Sequence, residues 1–99
     1  MSTFVAVVRP AVTNARDLAR LRPAARKLHA ELRRVSAAGV KVTVQHHAAA
    51  LLLVASGPRP FSDADRTAAV TAIQSACDSL WTPGTFLVAG HTQDSMPAA

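Results

Sequence analysis

The chain of 99 residues has the size of one domain, and its 49% share of hydrophobic residues is enough for one modest core. Its apolar runs are too short to cross a bilayer, and residues 1–8 lack the basic segment of a secretory signal. We therefore expect a cytoplasmic protein with no membrane partner. The single cysteine, Cys77, excludes an intrachain disulfide and any metal site built from several cysteines.

The net charge of +5 is distributed unevenly along the chain. Nine of the eleven Lys and Arg residues lie in residues 1–41, which contain only two carboxylates. A basic half of a chain is typical of proteins that bind nucleic acid or an acidic protein surface. Arg outnumbers Lys nine to two and Ala fills 21 positions, a bias that a GC-rich genome also produces. The composition leaves both interpretations of the charge open.

The first elements that the sequence predicts are a strand and a long helix. Residues 3–9 have the length and composition of a strand with apolar side chains on both faces, and Pro10 ends it. Asn14 is a candidate N-cap, and apolar residues then recur at spacings of three and four, as on one face of a helix. Because this stripe keeps its register across Pro23, we expect a kink there and an end at Gly39.

The next segment predicts a β-hairpin. Residues 40–45 alternate apolar and polar side chains, which is the period of a half-buried strand, and a second apolar run covers residues 49–54. With residues 46–47 as a two-residue turn, Gln45 would pair with Ala48. This register assigns every hairpin side chain to one of the two faces of the sheet.

A second helix and a last strand complete the pattern. Ser62 and Asp65 form a capping box, and a narrow apolar stripe follows them. A Pro-Gly pair at residues 83–84 has the order of a type II turn and closes the helix. Residues 85–89 then have the composition of a strand that is apolar on both faces.

The order of these elements, β-α-β-β-α-β, is that of the ferredoxin-like fold. We therefore predict an α+β domain over residues 1–91, with a four-stranded antiparallel sheet in the order 4-1-3-2. Both helices would lie on one face of this sheet. Residues 92–99 have little apolar content, and we expect them to form a flexible tail.

Two helices cover only one face of such a sheet, so the other face predicts an interface. The first and last strands are apolar on both faces, so the alternation does not say which of their faces is turned away from the helices. Either face would give the open side of the sheet an apolar centre. Soluble monomers rarely expose a continuous patch of this kind, so we expect a homodimer or larger assembly. The alternatives are a different partner or an apolar ligand on this face, or a monomer that tolerates a modest patch. The predicted interface residues are Thr43, Leu52, Val54, Val5, Val7 and Leu87. On this view the protein is a non-catalytic structural or protein-interaction module.

Two other functions stay open. The first is binding of nucleic acid, or of an acidic protein surface, through basic residues of the first helix: Arg16, Arg20, Lys27, Arg33 and Arg34. The second is a small dimeric α+β barrel enzyme with a pocket between the sheet and a helix, in which His46 or His47 would carry protons.

No catalytic, metal or cofactor site stands out in the sequence. The two adjacent histidines have no carboxylate near them in the sequence, and the four glycines form no phosphate-binding loop. Single-stranded RNA readers of the RRM type stack bases on aromatic residues of the open sheet face. None of the four aromatic residues lies in the second or third predicted strand, so this class is not favoured.

Overall fold

The computed structural model describes residues 2–94, which form four strands and two helices in the predicted order. These elements are β1 (Ser2–Pro10), α1 (Ala15–Val35), β2 (Lys41–His46), β3 (Leu51–Gly57), α2 (Asp63–Leu80) and β4 (Phe86–Asp94). The strands form one antiparallel sheet in the order β2-β3-β1-β4. The predicted ferredoxin-like α+β fold is confirmed.

One core lies between the helices and one face of the sheet. Alternate residues of β1 and β3 are buried, as the period of a strand requires, and α1 buries the stripe that the sequence predicts. The largest fully buried side chains are Phe4, Phe86, Leu28, Leu32, Leu51, Leu53, Ile73, Val8 and Cys77. The core thus takes its side chains from both helices and from the strands of the sheet.

Helix α1 begins as the sequence predicts but ends earlier. The Asn14 side chain accepts a hydrogen bond from the Asp17 N–H at 2.8 Å, which confirms the cap, and the helix runs without a break through Pro23. The helix ends at Val35 and is capped by Ser36, whose hydroxyl donates to the Leu32 carbonyl at 2.6 Å. Gly39 is therefore not the helix end; its φ of 88° belongs to the following turn.

The β2–β3 hairpin has the predicted faces but a different register. Gln45 pairs with Leu52 and not with Ala48, so residues 47–50 form a longer connection in which the His47 N–H donates to the Ala50 carbonyl. Alanine has low strand propensity, so the three alanines lie in the connection, and β3 begins at Leu51 and pairs with residues 2–8 of β1. Because the shift is an even number of residues, every hairpin side chain keeps its predicted face.

Strand β4 is longer than predicted. It pairs with β1 from Phe86 opposite Pro10 to Asp94 opposite Ser2, so residues 92–94 of the predicted tail lie in the sheet. Residues 95–99 of that tail lie outside the described part of the chain. The polar composition after residue 89 gives no strand signal, and the partner strand supplies the ladder that orders it. The predicted capping box of Ser62 is confirmed at the start of α2.

Candidate interaction surfaces

The sheet face that lies away from the helices, which we call the open face, has an apolar centre. Two rows of directly paired residues cross it from β2 to β4. The first row is Gln45, Leu52, Val7 and Ala89, and the second is Thr43, Val54, Val5 and His91. Their neighbours in each strand, such as Phe4 and Leu53, point to the helices and are fully buried. The two rows thus belong to the face that the helices leave uncovered.

All six predicted interface residues lie on the open face. Val5, Val7, Leu52 and Val54 form its centre and are half-buried. Leu87 stands beside this centre with 43% of its surface exposed, and Thr43 is exposed on the edge strand. Phe4, Ala6 and Val8 of β1 are buried against the helices. The face of β1 that carries Val5 and Val7 is therefore the open one.

Polar and charged side chains surround the apolar centre of the open face. Lys41 and Gln45 are exposed on the edge strand β2, and Arg9 is exposed near one end of β1. Ser56 and Thr3 pair with each other at the opposite end. An apolar centre with a polar rim is the usual anatomy of a protein–protein interface.

The basic residues of α1 form two lines on its solvent side. Spacings of four and seven residues place Arg16, Arg20, Lys27 and Arg34 within about 40° of one another around the helix. Arg33 lies about 100° away from this line, on the side of Arg22 and Arg26. The five predicted contact residues therefore do not share one line, although all of them lie on the half of the helix that faces away from the sheet.

Two of these five cations already have carboxylate partners within α1. Arg34 donates to Glu31 at 2.9 Å, and Arg20 lies 3.4 Å from Asp17. Both pairs are solvent-accessible and contribute little to stability, but they lower the charge that α1 offers to an anionic partner. Within residues 2–94, Arg16, Lys27 and Arg33 have no carboxylate within 4.0 Å.

A cavity of about 560 Å³ lies between the end of α1, the loop at residues 57–61 and the start of α2. Its walls are mainly apolar and include Phe4, Leu32 and Phe61. The ionisable groups that line it are Arg59 and Asp65, and the Asp65 carboxylate accepts the Ser62 N–H at 3.0 Å within the helix cap. The cavity therefore offers an apolar space with few polar groups directed into it.

The two histidines of the hairpin lie away from that cavity. His46 and His47 are exposed and line a separate depression of about 420 Å³, together with Leu18 and Arg22 of α1. The proton carriers that the sequence suggests for an enzyme therefore line this smaller depression between α1 and the hairpin, and not the cavity at the end of α1. Within residues 2–94, no group of three or more His, Cys, Asp and Glu side chains is arranged to hold a metal ion.

Cys77 is part of the core. Its side chain is only 1% exposed, on the face of α2 that packs against the sheet. Burial raises the pKa of its thiol to about 11, and the charge of Asp78 adds to this rise. The protonated thiol is therefore the dominant form at neutral pH, and Cys77 packs as a small apolar side chain.

One side chain of α2 binds the β4 edge of the sheet, and one side chain of α1 binds the β2 edge. Sequence patterns do not predict these contacts. The Gln74 side chain of α2 accepts the Val88 N–H at 3.1 Å and donates to the Phe86 carbonyl at 2.9 Å. The Nε2 atom of His29 in α1 lies 3.0 Å from the Val42 carbonyl oxygen. Because a carbonyl oxygen can only accept, the Nε2 of His29 carries the proton. Both residues are isolated polar positions beside apolar stripes, where periodicity carries no information about their partners.

Comparison of the chain with protein-family models, with curated proteins and with solved structures finds no match in any of the three. Neither α1 nor α2 contains an apolar stretch of the length needed to span a bilayer. The surfaces and cavities of residues 2–94 are therefore the basis on which a function can be argued.

Proposed function

We propose that this protein is a self-assembling ferredoxin-like module in which two copies pack their open faces together. The observation that carries this proposal is the continuous apolar centre formed by Val5, Val7, Leu52 and Val54. Burial of apolar surface is the main favourable contribution to most protein association. A second copy supplies a matching surface, because a two-fold contact joins one patch to the same patch on its partner.

The outline of the open face is somewhat smaller than a standard protein interface, and the relief of its side chains makes up part of the difference. Four strands about 4.8 Å apart, with up to nine residues of about 3.4 Å each, give a footprint of roughly 19 by 30 Å. This footprint of about 570 Å² excludes the relief of the side chains, which increases the accessible area. A standard interface buries about 800 Å² on each partner. The rows that cross the face contain no Phe, Tyr or Trp, and their one ring, His91, lies on the edge strand, so two such faces can approach to the usual distance of about 10 Å.

The charges of the molecule are compatible with this contact. Arg9 and Lys41 lie outside the apolar centre, and the other basic residues of the N-terminal half lie on α1, on the far side of the sheet. Packing of the open faces therefore leaves the basic surfaces of both α1 helices in solvent. Each of them stays available to an anionic partner, such as nucleic acid or an acidic protein surface.

The test is the solution mass of the protein, measured by light scattering on a sizing column at low and at high salt. We expect at least twice the chain mass of 10.4 kDa under both conditions, since an apolar contact is not screened by salt. Leu52 and Val54 are already half-buried in one copy, so in the variant Leu52→Glu with Val54→Glu each side chain loses only part of the roughly 1.5–3 kcal/mol that full apolar burial contributes. Each new carboxylate would also be buried without a partner. Dissociation should become at least about 100-fold more favourable.

The matched control is Ala19→Glu with Ala30→Glu, which makes the same change in net charge at exposed positions of α1. This control should keep the mass of the wild type. Circular dichroism of both variants is the check that they are folded. A monomeric wild type at both salt concentrations, or a Leu52 and Val54 variant that associates like the control, would overturn the proposal.

A further inference from the structure

The free side of strand β4 is divided into a blocked half and an open half. The Gln74 carboxamide occupies the Phe86 carbonyl and the Val88 N–H, and so imitates the main chain of a neighbouring strand. Main-chain groups in a strand point alternately to the two sides, so the outward residues of β4 are the even-numbered ones. The outward groups that follow Val88 belong to Gly90 and Thr92, and no described residue donates to them or accepts from them.

The open half of β4 lacks the features that usually protect a sheet edge. Protected edges are short, or they contain lysine, proline or a bulge. Strand β2, the other edge, has only six residues, begins with Lys41 and has His29 bound at Val42. Strand β4 has nine residues, and between Val88 and Thr92 it has no proline, lysine or arginine; His91 is the one ionisable residue of this segment. Of the two edges, β4 is therefore the longer one, and it is the one that lacks lysine and proline.

We propose that the open half of β4 pairs antiparallel with the same segment of a second copy, which joins two sheets into one of eight strands. A second copy is the occupant that fits, because a two-fold antiparallel pair brings each outward N–H opposite an outward carbonyl. The pairing uses main-chain groups and not the open face. Either contact can therefore form without the other, and together they would give an assembly larger than a dimer.

The position of Gln74 limits the register of this pairing. If the Gln74 carboxamide stays in place, the partner strand can cover only the part of β4 from Val88 onward. The two-fold axis then lies near His91, with Gly90 opposite Thr92 of the second copy. This arrangement forms about four main-chain hydrogen bonds through Gly90 and Thr92, and the Val88 carbonyl and Asp94 N–H of the two copies add about two more. It also continues the open face across the new pair of strands.

Amide hydrogen exchange measured by NMR tests the pairing directly. In the wild type at high protein concentration, the amides of Gly90 and Thr92 should exchange at least about 10-fold more slowly than at low concentration. The Val88 amide is an internal reference, because Gln74 binds it at every concentration. Fast exchange of both amides at concentrations where the protein is associated would overturn the proposal.

A pair of variants at residue 92 gives a second test. Thr92→Pro removes the outward N–H, and proline at such a position of an edge strand is compatible with folding. Thr92→Val is the matched control, since it keeps the N–H and removes only the hydroxyl that accepts from Arg66 at 3.0 Å. Because edge pairing adds to the solution mass, we expect a lower mass for Thr92→Pro than for the wild type. Thr92→Val should keep the wild-type mass. Equal masses for the two variants would contradict the pairing.

The background of Leu52→Glu with Val54→Glu separates this inference from the packing of open faces. If that variant still shows slow exchange at Gly90 and Thr92, edge pairing stands by itself although the face contact is lost. If the amides of Gly90 and Thr92 exchange fast in the wild type while it keeps a salt-resistant dimer mass, the face contact stands and the edge pairing is refuted.

Discussion

Replacement of Gly90 by alanine tests how closely β4 packs on the core. A Cβ atom at this position would lie 2.8 Å from the Val70 Cγ2 and 2.9 Å from two ring carbons of Phe4. Carbon atoms in contact are usually about 3.5–4.0 Å apart, so all three distances are too short by roughly 0.6–1.2 Å. The Phe4 ring is fully buried and cannot move away without displacing the core.

The expected cost of Gly90→Ala follows from these contacts. Overpacking costs about 1–3 kcal/mol, and alanine recovers about 0.5–1 kcal/mol because the unfolded chain is less flexible than with glycine. We expect a net loss of about 1–2 kcal/mol in the free energy of unfolding. For a domain of this size, about 1 kcal/mol lowers the melting temperature by roughly 4–8 °C.

Thermal unfolding followed by circular dichroism measures the effect of Gly90→Ala. The same substitution in a Val70→Ala background should cost less, because one of the three short contacts is then absent. A Gly90→Ala protein as stable as the wild type would refute the close packing of β4 on Phe4 and Val70. An equal cost in both backgrounds would assign the whole effect to Phe4.

Two further predictions concern α2. Because burial raises the pKa of Cys77 from 9.0 to about 11, this thiol stabilises the folded state fully below pH 9. That contribution should decrease as the pH rises from 9 to 11, and chemical denaturation at several pH values should show no such decrease in Cys77→Ala. At the start of α2, Ser62→Ala removes an acceptor 3.1 Å from the Asp65 N–H and should lower stability by about 1 kcal/mol. Ser62→Thr, which keeps an acceptor, should restore most of it, and equal losses in the two variants would contradict the cap.

The sequence is sufficient to predict the fold because its local signals agree with one another. The cap at Asn14, the capping box at Ser62 and the Pro-Gly turn at residues 83–84 all lie where the sequence predicts. The element order and the alternation in the strands then leave few possible topologies. Element ends were less predictable, because Ser36 closes α1 through a side-chain bond that no periodicity reveals.

The composition of the open face was predictable, but the state of the sheet edges was not. Alternation alone assigns Leu52, Val54 and Thr43 to one face, and an even shift in register does not change that assignment. The edges depend on long-range contacts, such as the one between Gln74 and Val88, whose partners are 14 residues apart. A polar residue on a helix gives no local sign of which backbone group it will bind.

The alanine-rich connection between β2 and β3 has a consequence for how the chain tolerates changes in length. Strand β3 is held on its other side by seven residue pairs with β1, from Leu51 to Gly57. Its position in the sheet therefore does not depend on the number of residues in the connection. Residues 47–50 can be lengthened or shortened while the two strands keep their alignment, so this corner of the molecule is where a peptide tag or a new binding loop can be inserted.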